Sequence, residues 1–328
     1  MQCHPASPRR SQIVKVRVLS KTGIAEGICK IELVAIDGHS LLPFSPGAHI
    51  DVDLGHGLVR QYSLCNAMDE RDRYVIAVLL EPNSRGGSAS VHALSVGDTM
   101  EIGDPRNLFP LARDAEHSIL VAGGIGITPL LAMAHDLSAA GSSFEMHYCA
   151  RTPDRMAFRR ELENSRFSDR VRLYFDTDLT RDRFDPKRLL TAPTVGKHVY
   201  VCGPAGFIAP ILAATTEHRW NDTNVHREYF GSAPVMRSGD QPFTVQLARL
   251  GASVEVESRE TIVQALARIG VEIPVSCEQG VCGTCLTRVC DGIPHHRDTY
   301  LLDHEKDAND QILPCCSRAK SDVLVLDL

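Results

Sequence analysis

The sequence predicts a multidomain fold: an antiparallel β-barrel, then an α/β module with a parallel sheet, then a small α+β module. Three observations predict this order. Short alternating segments without a long helix fill the first third, strands alternate with helical segments in the second, and closely spaced cysteines mark the last. We place the modules at residues 1–115, 116–231 and 242–328, with a linker rich in Ser, Ala, Pro and Gly at 232–241.

Composition and charge exclude several classes of protein. Of the 328 residues, 43% are hydrophobic and 23% are charged, as in ordinary globular proteins. No apolar run approaches the roughly 18 residues that a membrane span needs, and the net charge of −6 argues against a nucleic-acid partner. The first eleven residues lack the apolar segment of an export signal. We therefore expect a cytoplasmic protein whose eleven cysteines stay reduced.

The first module is predicted from period-two alternation. Residues 13–19, 49–54 and 74–80 alternate or are rich in β-forming residues, and glycines separate these segments. Several short strands without an intervening long helix favour a small antiparallel barrel that ends near residue 115.

Two stretches of this module have the composition of a phosphate and aromatic-ring site. One strand ends in Arg60-Gln61-Tyr62-Ser63, and residues 84–88 read Ser-Arg-Gly-Gly-Ser. An arginine suits a phosphate, a tyrosine offers a flat ring, and adjacent glycines let backbone N–H groups approach an anion. The alternative for 84–88 is a glycine-rich surface turn.

The second module is predicted from a change of period. Strands are expected at 118–122, 144–149, 171–175 and 198–201, and helices at 129–140 and 155–164. Such alternation indicates a parallel sheet covered on both faces.

Two loops of this module follow strands at the position where an α/β sheet binds a dinucleotide. Residues 123–129 read Gly-Gly-Ile-Gly-Ile-Thr-Pro, between a buried strand and a helix, and Cys202-Gly203-Pro204 follows the strand at 198–201. Asp176-Thr177-Asp178 follows the strand at 171–175. Because carboxylates repel a 2′-phosphate and accept hydrogen bonds from a free 2′-hydroxyl, NADH is favoured over NADPH. Arg151 and Thr152 lie nearby in the sequence and leave NADPH open.

The third module is predicted as a hairpin at 243–250 and 253–256, a helix at 261–269 and a closing strand at 323–326. The helix has an apolar face made of Ile262, Ala265, Leu266 and Ile269. This module has 13 acidic and 8 basic residues, a net charge of −5, which leaves about −1 for the rest of the chain. A solvated acidic surface explains this charge; an acidic face for an electron-transfer partner is the alternative.

The cysteines of the third module predict a metal centre. Cys277, Cys282 and Cys285 follow the pattern C-x₄-C-x₂-C, and Cys315 comes 29 residues later. Plant-type [2Fe–2S] ferredoxins hold their cluster with this spacing, and small residues such as Gly280 and Gly283 leave room for it. The alternatives are a zinc site, which favours paired C-x₂-C knuckles, or buried cysteines. Cys316 is the second candidate for the fourth ligand, and Cys290 is expected to serve packing only.

The chain from about residue 13 to 328 resembles the phthalate dioxygenase reductase family, within the ferredoxin–NADP reductase superfamily. Members carry a flavin module, a nicotinamide module and a C-terminal β-grasp ferredoxin module in that order. The resemblance implies FMN, since relatives with the ferredoxin placed first usually use FAD; the residues alone leave FAD open. The matching stretches are 60–66, 84–88, 105–111, 123–129, 147–151 and 276–289.

The resemblance also implies the site residues. It places the nicotinamide at Thr128, Cys202 and Phe230, the last lying over the flavin; the alternative for Phe230 is ordinary core. It implies metal ligands at Cys277, Cys282, Cys285 and Cys315. The predicted cofactor-binding residues are Arg60, Gln61, Tyr62, Ser63, Val78, Leu79, Arg85, Gly86, Gly87, Ser88, Gly123, Gly124, Gly126, Thr128, Arg151, Asp176, Cys202, Gly203, Pro204 and Phe230.

The function implied by the resemblance is an NADH-dependent reductase that passes electrons through FMN and a [2Fe–2S] cluster to a separate protein. In this family that protein is a Rieske non-haem iron oxygenase acting on an aromatic acid, by vanillate-type O-demethylation or phthalate-type dioxygenation. We expect a monomer without membrane partners. The alternatives are a reductase for a cytochrome or a diiron hydroxylase, and a redox-sensing iron–sulfur flavoprotein without turnover.

Overall fold

The computed structural model describes residues 13–55, 58–82, 86–177, 183–230, 239–275, 280, 283–298 and 300–328. The chain divides into two compact units, Met1–Phe230 and Gly231–Leu328. Among the described residues, none of the helices has both the length and the apolarity required to cross a bilayer.

The first part of the first unit is an antiparallel sheet with strand order β4-β3-β6-β1-β2-β5, and β7 pairs with β3. Its elements are β1 (Val14–Ala25), β2 (Ile28–Ala35), β3 (Ala48–Asp53), β4 (Val59–Ser63), β5 (Tyr74–Leu79), helix α1 (Gly87–Ala93), β6 (Thr99–Ile102) and β7 (Arg106–Asn107).

The two outermost strands of this sheet, β4 and β5, are joined by hydrogen bonds of Cys65 and Asn66, which follow β4. The Cys65 N–H donates to the Val75 carbonyl at 2.9 Å, and the Val75 N–H donates to Asn66 Oδ1 at 3.0 Å. The side chain of Asn66 thus takes the place of a backbone acceptor, and the bonds from β4 to β5 close the sheet into a barrel.

Four barrel strands differ from the sequence prediction: β1 is longer, and β2, β6 and β7 were not predicted. β1 continues to Ala25, six residues beyond the predicted end, because irregularities between Val18 and Ser20 and between Gly23 and Ala25 let its pairing with β2 resume. β2 was not predicted, although Ile31 and Leu33 are fully buried and alternate with polar neighbours.

The second part of the unit is a parallel sheet with order β10-β9-β8-β11-β12. Apolar clusters cover both of its faces, as predicted. Its elements are β8 (His117–Gly123), α2 (Ile127–Ala139), β9 (Phe144–Ala150), α3 (Arg159–Glu163), β10 (Val171–Phe175), α4 (Pro186–Leu189), β11 (Lys197–Gly203), α5 (Ala205–Glu217) and β12 (Val225–Tyr229).

The predicted helix at 155–164 is shorter in the structure. A 3₁₀ turn occupies Pro153–Arg155, and Phe158 adopts φ +58° directly before α3. A left-handed residue interrupts the helical path, so the helix begins only at Arg159.

The barrel and the parallel sheet share one core. Ile28, Val75 and Phe109 from the barrel lie in the same buried cluster as Leu120 and Ile127. The division at residue 115 therefore separates two kinds of architecture within one compact unit.

The second unit is a mixed sheet with order β14-β13-β19-β15-β17, packed against helix α6. β13 and β19 are parallel, and their other neighbours are antiparallel. A small ribbon pairs β16 with β18. The elements are β13 (Phe243–Leu247), β14 (Ser253–Val256), α6 (Ile262–Arg268), β15 (Thr287–Asp291), β16 (Pro294–His295), α7 (Asp303–Ala308), β17 (Gln311–Ile312), β18 (Arg318–Ala319) and β19 (Val323–Leu326).

Helix α6 begins at a capping box, in which the Thr261 hydroxyl accepts from the Gln264 N–H and the Gln264 amide oxygen accepts from the Thr261 N–H. The prediction that Ile269 belongs to its apolar face is wrong, since that side chain is 41% exposed. The helix ends at Arg268, and Gly270, at φ +78°, takes the chain out of the helical path.

Candidate electron-transfer sites

The predicted flavin residues come together at the end of β4. The side chain of Arg60 lies against Gly87, where a Cβ would approach Arg60 Cγ to 2.7 Å. The neighbouring Gly86 has φ +97°, which only glycine adopts readily. Ser88 Oγ accepts from the Glu81 N–H at 3.1 Å and fixes the loop. Gly87 thus lets the arginine side chain lie against the backbone, and Gly86 lets the chain turn before α1. Ser84 and Arg85 lie outside the described residues.

The aromatic ring predicted for the flavin is only partly covered. Tyr62 is half-buried, and burial raises the pKa of its phenol to about 12, against a smaller opposite effect of Arg60. The phenol therefore stays neutral and can only offer its ring or its hydroxyl. Ser63 is buried next to it. On the neighbouring strand β5, Val78 is buried and Leu79 is half-buried against the shared core.

The side chain of Gln61 binds a residue that the sequence prediction missed. Its Nε2 donates to Asp51 Oδ1 at 2.9 Å, and Arg106 Nη2 donates to both oxygens of the same carboxylate at 2.6 Å. Asp51 lies opposite Gln61 in the β3–β4 register. This network fixes β4 and β7 on β3, so the amide of Gln61 supports the site from behind the strand.

The predicted nucleotide residues meet at one edge of the parallel sheet. Because all five strands run in the same direction, their carboxyl ends share that edge. The residues at or directly after these five strand ends are Gly123, Arg151, Asp176, Gly203 and Phe230. The sheet topology therefore places every predicted nucleotide segment along a single border.

The two glycine loops touch each other at the centre of this edge. A Cβ on Gly126 would lie 2.3 Å from the Cys202 carbonyl oxygen and 2.7 Å from the Gly203 nitrogen. The Phe230 N–H donates to the Gly203 carbonyl at 2.9 Å. Strand β5 of the barrel also contacts the 3₁₀ turn Gly124–Gly126. These contacts bring the barrel to the loops that are predicted to bind the nicotinamide.

We expect Gly126→Ala to raise the KM for the nicotinamide nucleotide at least tenfold, because the new methyl group forces the two loops apart. Steady-state kinetics with ferricyanide as acceptor measures this effect. Gly206→Ala is the matched control, since Gly206 lies at the same edge and a Cβ there has open space. Equal KM values for the two variants would contradict the contact.

The buried Cys202 pairs with the half-buried Glu228, which the sequence prediction did not include among the site residues. Its Sγ donates to Glu228 Oε2 at 3.9 Å, and the two residues are opposite each other in the β11–β12 register. Burial, and then the adjacent carboxyl group, raise the pKa of the Cys202 thiol well above its usual value. Burial raises the pKa of Glu228 to about 8. The sequence could have indicated Glu228, because a carboxylate two residues before Phe230 lies on the same face of an extended chain.

We expect the stability of the protein to depend on pH through Glu228. In the folded state this group keeps its proton up to about pH 8, whereas in the unfolded chain it loses it near pH 4.5. Stability therefore falls as pH rises between these values, by up to about 1.4 kcal/mol per pH unit. Glu228→Gln removes this cost, so its free energy of unfolding should exceed that of the parent increasingly from pH 5 to pH 8. Parallel stability curves for the two proteins would contradict the assignment.

Thr128 is buried at the start of α2, and its hydroxyl donates to the Ile125 carbonyl at 3.1 Å. The structure therefore uses this side chain to shape the glycine loop. Phe207 was also absent from the prediction: its ring covers Gly123 and Gly203, where Cβ atoms would approach it to 2.5 Å and 3.0 Å. The glycines of both loops are thus matched to one aromatic ring on α5.

Arg151 and Asp176 are exposed at the end of β9 and directly after β10, two paired strands. The Asp176 N–H donates to the Ala150 carbonyl at 3.3 Å, which keeps the two segments side by side. The remaining carboxylate of this stretch, Asp178, lies outside the described residues.

The cysteine site of the second unit is described at Cys285 and Cys315, while Cys277 and Cys282 lie outside the described residues. Both described cysteines are buried. The Cys285 thiol, and then Cys316, lie within hydrogen-bonding distance of Cys315 and raise the pKa of its thiol together with burial. Sulfurs of two predicted ligands thus converge, which fits a cluster held by thiolates.

The glycines of this loop are required by contacts and by backbone conformation. Gly280 has φ +73°, and a Cβ there would lie 2.3 Å from Cys316 Sγ and 2.8 Å from Asp298 Cα. Gly283 has φ +71°, and a Cβ on Gly283 would lie 2.3 Å from the ring of Tyr300. Cys316 packs against the loop backbone and lies 3.7 Å from the Leu313 carbonyl oxygen. The expected packing role of Cys290 is wrong, since this residue is exposed on β15.

The fold and these sites define a class of protein: a modular oxidoreductase that joins a flavin barrel and a nicotinamide sheet to an iron–sulfur module. Residues 245–320 match the 2Fe-2S iron-sulfur cluster binding domain family. The chain is 48% identical over 317 residues to a vanillate O-demethylase oxidoreductase from Pseudomonas sp. (strain HR199), covering 96% of this chain and 100% of that protein.

Two further comparisons agree. The chain is 41% identical over 324 residues to phthalate dioxygenase reductase from Burkholderia cepacia, covering 98% and 99% of the two chains. A solved phthalate dioxygenase reductase, described as a modular structure for electron transfer from pyridine nucleotides to [2Fe–2S], superposes with a TM-score of 0.77 at 42% identity, covering 96% and 98%. The chain belongs to the phthalate dioxygenase reductase family. This confirms the resemblance and the class of enzyme, an oxidoreductase with flavin, nicotinamide and [2Fe–2S] cofactors.

Proposed function

We propose that this chain is the reductase component of a two-component oxygenase, carrying electrons from NADH through FMN and its [2Fe–2S] cluster to a separate Rieske non-haem iron oxygenase. The substrate of that oxygenase is an aromatic acid, and vanillate is the first candidate. One observation carries this proposal: a single chain contains the Arg60–Gly87 site, the edge where the five parallel strands end, and the cysteine loop. This chain is similar over 96% of its length to a vanillate O-demethylase oxidoreductase.

The order of the carriers follows from electron counting. A nicotinamide releases two electrons as hydride and a [2Fe–2S] cluster accepts one, so a bound flavin supplies the step between pair and single transfer. The contact between β5 and the turn Gly124–Gly126 supports this order, because it joins the flavin module to the nicotinamide loops.

The residues of the chain bind and orient the reactants. Arg60, beside Gly87, would hold a phosphate of FMN, and the neutral phenol of Tyr62 would offer its ring to the flavin. Gly126 and Gly203 would hold the nicotinamide, and the half-buried ring of Phe230 would have to move to admit it. At neutral pH Cys202 and Glu228 both keep their protons, so this corner of the site holds no negative charge against an incoming hydride.

The acidic second unit supports a protein acceptor. Its net charge of −5 from residue 242 onward favours association with a basic surface on the oxygenase. Rim charges of this kind act mainly on the rate of association, so we expect the coupled reaction to slow as ionic strength rises, while ferricyanide reduction changes less.

The test is NADH-dependent product formation by candidate Rieske oxygenases, with vanillate and phthalate as substrates, in the presence and absence of this chain. The proposal predicts product only when both components are present, and FMN as the flavin released by heating. Turnover of cytochrome without turnover of any oxygenase would favour the alternative acceptor, and absence of turnover with ferricyanide would favour a sensor.

A further inference from the structure

A buried ion cluster lies where the chain joins the second unit. It consists of Asp240, Arg297 and Arg318, whose side chains are 6%, 7% and 4% exposed. Arg297 Nη1 donates to Asp240 Oδ2 at 2.9 Å, and its Nη2 donates to Oδ1. Arg318 Nε lies 3.9 Å from the same carboxylate. Charges this deeply buried are stable only with close partners, and the Asp240 carboxylate is a close partner of both cations.

Arg318 connects this ion cluster to residues in and around β13 and β14. Its Nη2 donates to the carbonyls of Gln241 and Glu257 at 3.0 Å each, and its guanidinium lies 5.0 Å from the ring centre of Phe243. Asp240 and Gln241, which precede β13, are therefore fixed to β18 and its neighbours.

The predicted fourth ligand of the iron–sulfur cluster lies close to Arg318 in the sequence. Cys315 lies three residues before Arg318, and between them the Ser317 hydroxyl accepts from the Arg297 N–H at 3.1 Å and donates to Asp298 Oδ1 at 3.2 Å. Asp298 in turn contacts Gly280 of the cysteine loop. Hydrogen bonds thus run from Asp240 through Arg297 and Ser317 to Asp298, whose Cα lies close to Gly280.

We propose that Asp240 is a positioning residue for internal electron transfer: it fixes residues 240–242 to β18, which follows the turn that carries Cys315. This inference rests on the proposed function. The step concerned moves one electron from the reduced flavin to the oxidised cluster. Residues 239–242 are the first described residues of the second unit. Releasing 240–242 would free three residues, with an extended length of about 10 Å.

The main test compares Asp240→Asn with Asp327→Asn in the full cofactor-loaded chain. Asp327 is the matched control, because it accepts two hydrogen bonds of 2.7 Å from Arg249 in the same unit, on an exposed ion pair. We expect Asp240→Asn to slow flavin-to-cluster transfer at least tenfold in anaerobic stopped flow, counted per loaded cluster. Asp327→Asn should keep the parent rate, and both variants should reduce ferricyanide with NADH at the parent rate.

A second readout does not depend on activity. Amide hydrogen exchange of the peptide 239–243 should become faster in Asp240→Asn and stay at the parent rate in Asp327→Asn. Parent-like exchange or a parent-like transfer rate in Asp240→Asn would overturn the inference, as would a slower rate explained wholly by a changed cluster midpoint potential. Failure of the parent chain to reduce ferricyanide would instead contradict the proposed function.

Two conservative variants keep the inference testable if Asp240→Asn does not fold. Asp240→Glu retains the charge and should recover most of the transfer rate. Arg297→Lys retains the charge but cannot make the two parallel bonds, so it should give an intermediate rate and intermediate exchange. Parent rates of transfer and exchange in Arg297→Lys would overturn the inference.

Discussion

Replacing Cys315 by serine should remove most of the visible iron–sulfur absorbance, because the cluster then lacks one of its four thiolates. The protein should still reduce ferricyanide with NADH at a rate close to that of the parent, since this acceptor takes electrons directly from the flavin. Delivery of electrons to an oxygenase should fall by at least a hundredfold. Absorbance spectra and the two assays on the same preparation measure these effects.

Cys316→Ser is the matched control for this experiment. Cys316 packs against Gly280 and lies near the Leu313 carbonyl oxygen, whereas Cys315 has the predicted ligand Cys285 as its main partner. We therefore expect Cys316→Ser to keep the cluster. Loss of the cluster in Cys316→Ser, with retention in Cys315→Ser, would reverse the assignment of the fourth ligand.

The parent chain should prefer NADH to NADPH by roughly ten- to a hundredfold in kcat/KM. Asp176 is exposed at the carboxyl edge, beside the end of β9. A carboxylate near the 2′-phosphate of NADPH costs on the order of 1–3 kcal/mol in a partly screened site. Steady-state kinetics with both nucleotides and ferricyanide measures the preference. Equal use of both nucleotides would show that Asp176 does not face the ribose.

Asp176→Ser combined with Asp178→Arg should narrow this preference mainly through KM, because the 2′ position is remote from the transferred hydride. Asp169→Ser is the control, since Asp169 is exposed at the opposite, amino end of the same strand. A similar change in both variants would assign the effect to overall charge.

The parallel sheet was the part of the fold that the sequence predicted best. Gly123, Cys202 and Asp176 each lie at or directly after the end of a predicted strand, and the shared direction of parallel strands brings such ends to one edge without any knowledge of side-chain packing. The alternation of strands and helices was enough to predict a parallel sheet, but not its strand order or β12.

Long-range side-chain partners could not be predicted in the same way. Asp51 and Gln61 pair with each other across two strands, and Glu228 meets Cys202 only through the β11–β12 register, although β12 itself was not predicted. A pairing of this kind depends on strand register, which a single sequence specifies poorly when one strand is short and mixed in polarity. The partner of Gln61 therefore appeared only in the folded chain.

Backbone conformation and close backbone contacts also could not be predicted from the sequence. The contact of Gly126 with Cys202 and the positive φ of Phe158 depend on how two segments approach each other, and neither leaves a local pattern. Ile269 fitted the period of α6, but the turn at Gly270 ended the helix before that residue reached the core. Sequence periodicity predicts the apolar face of a helix, but the C-cap decides where the helix, and therefore this face, ends.

The order of electron carriers is tested most directly by mixing the fully loaded chain with one equivalent of NADH under anaerobic conditions in a stopped-flow spectrophotometer. We expect loss of flavin absorbance first and loss of cluster absorbance afterwards, with a cluster phase that disappears in Cys315→Ser while the flavin phase remains. Reduction of the cluster by NADH in a chain stripped of its flavin, or cluster bleaching that precedes flavin bleaching, would contradict this order.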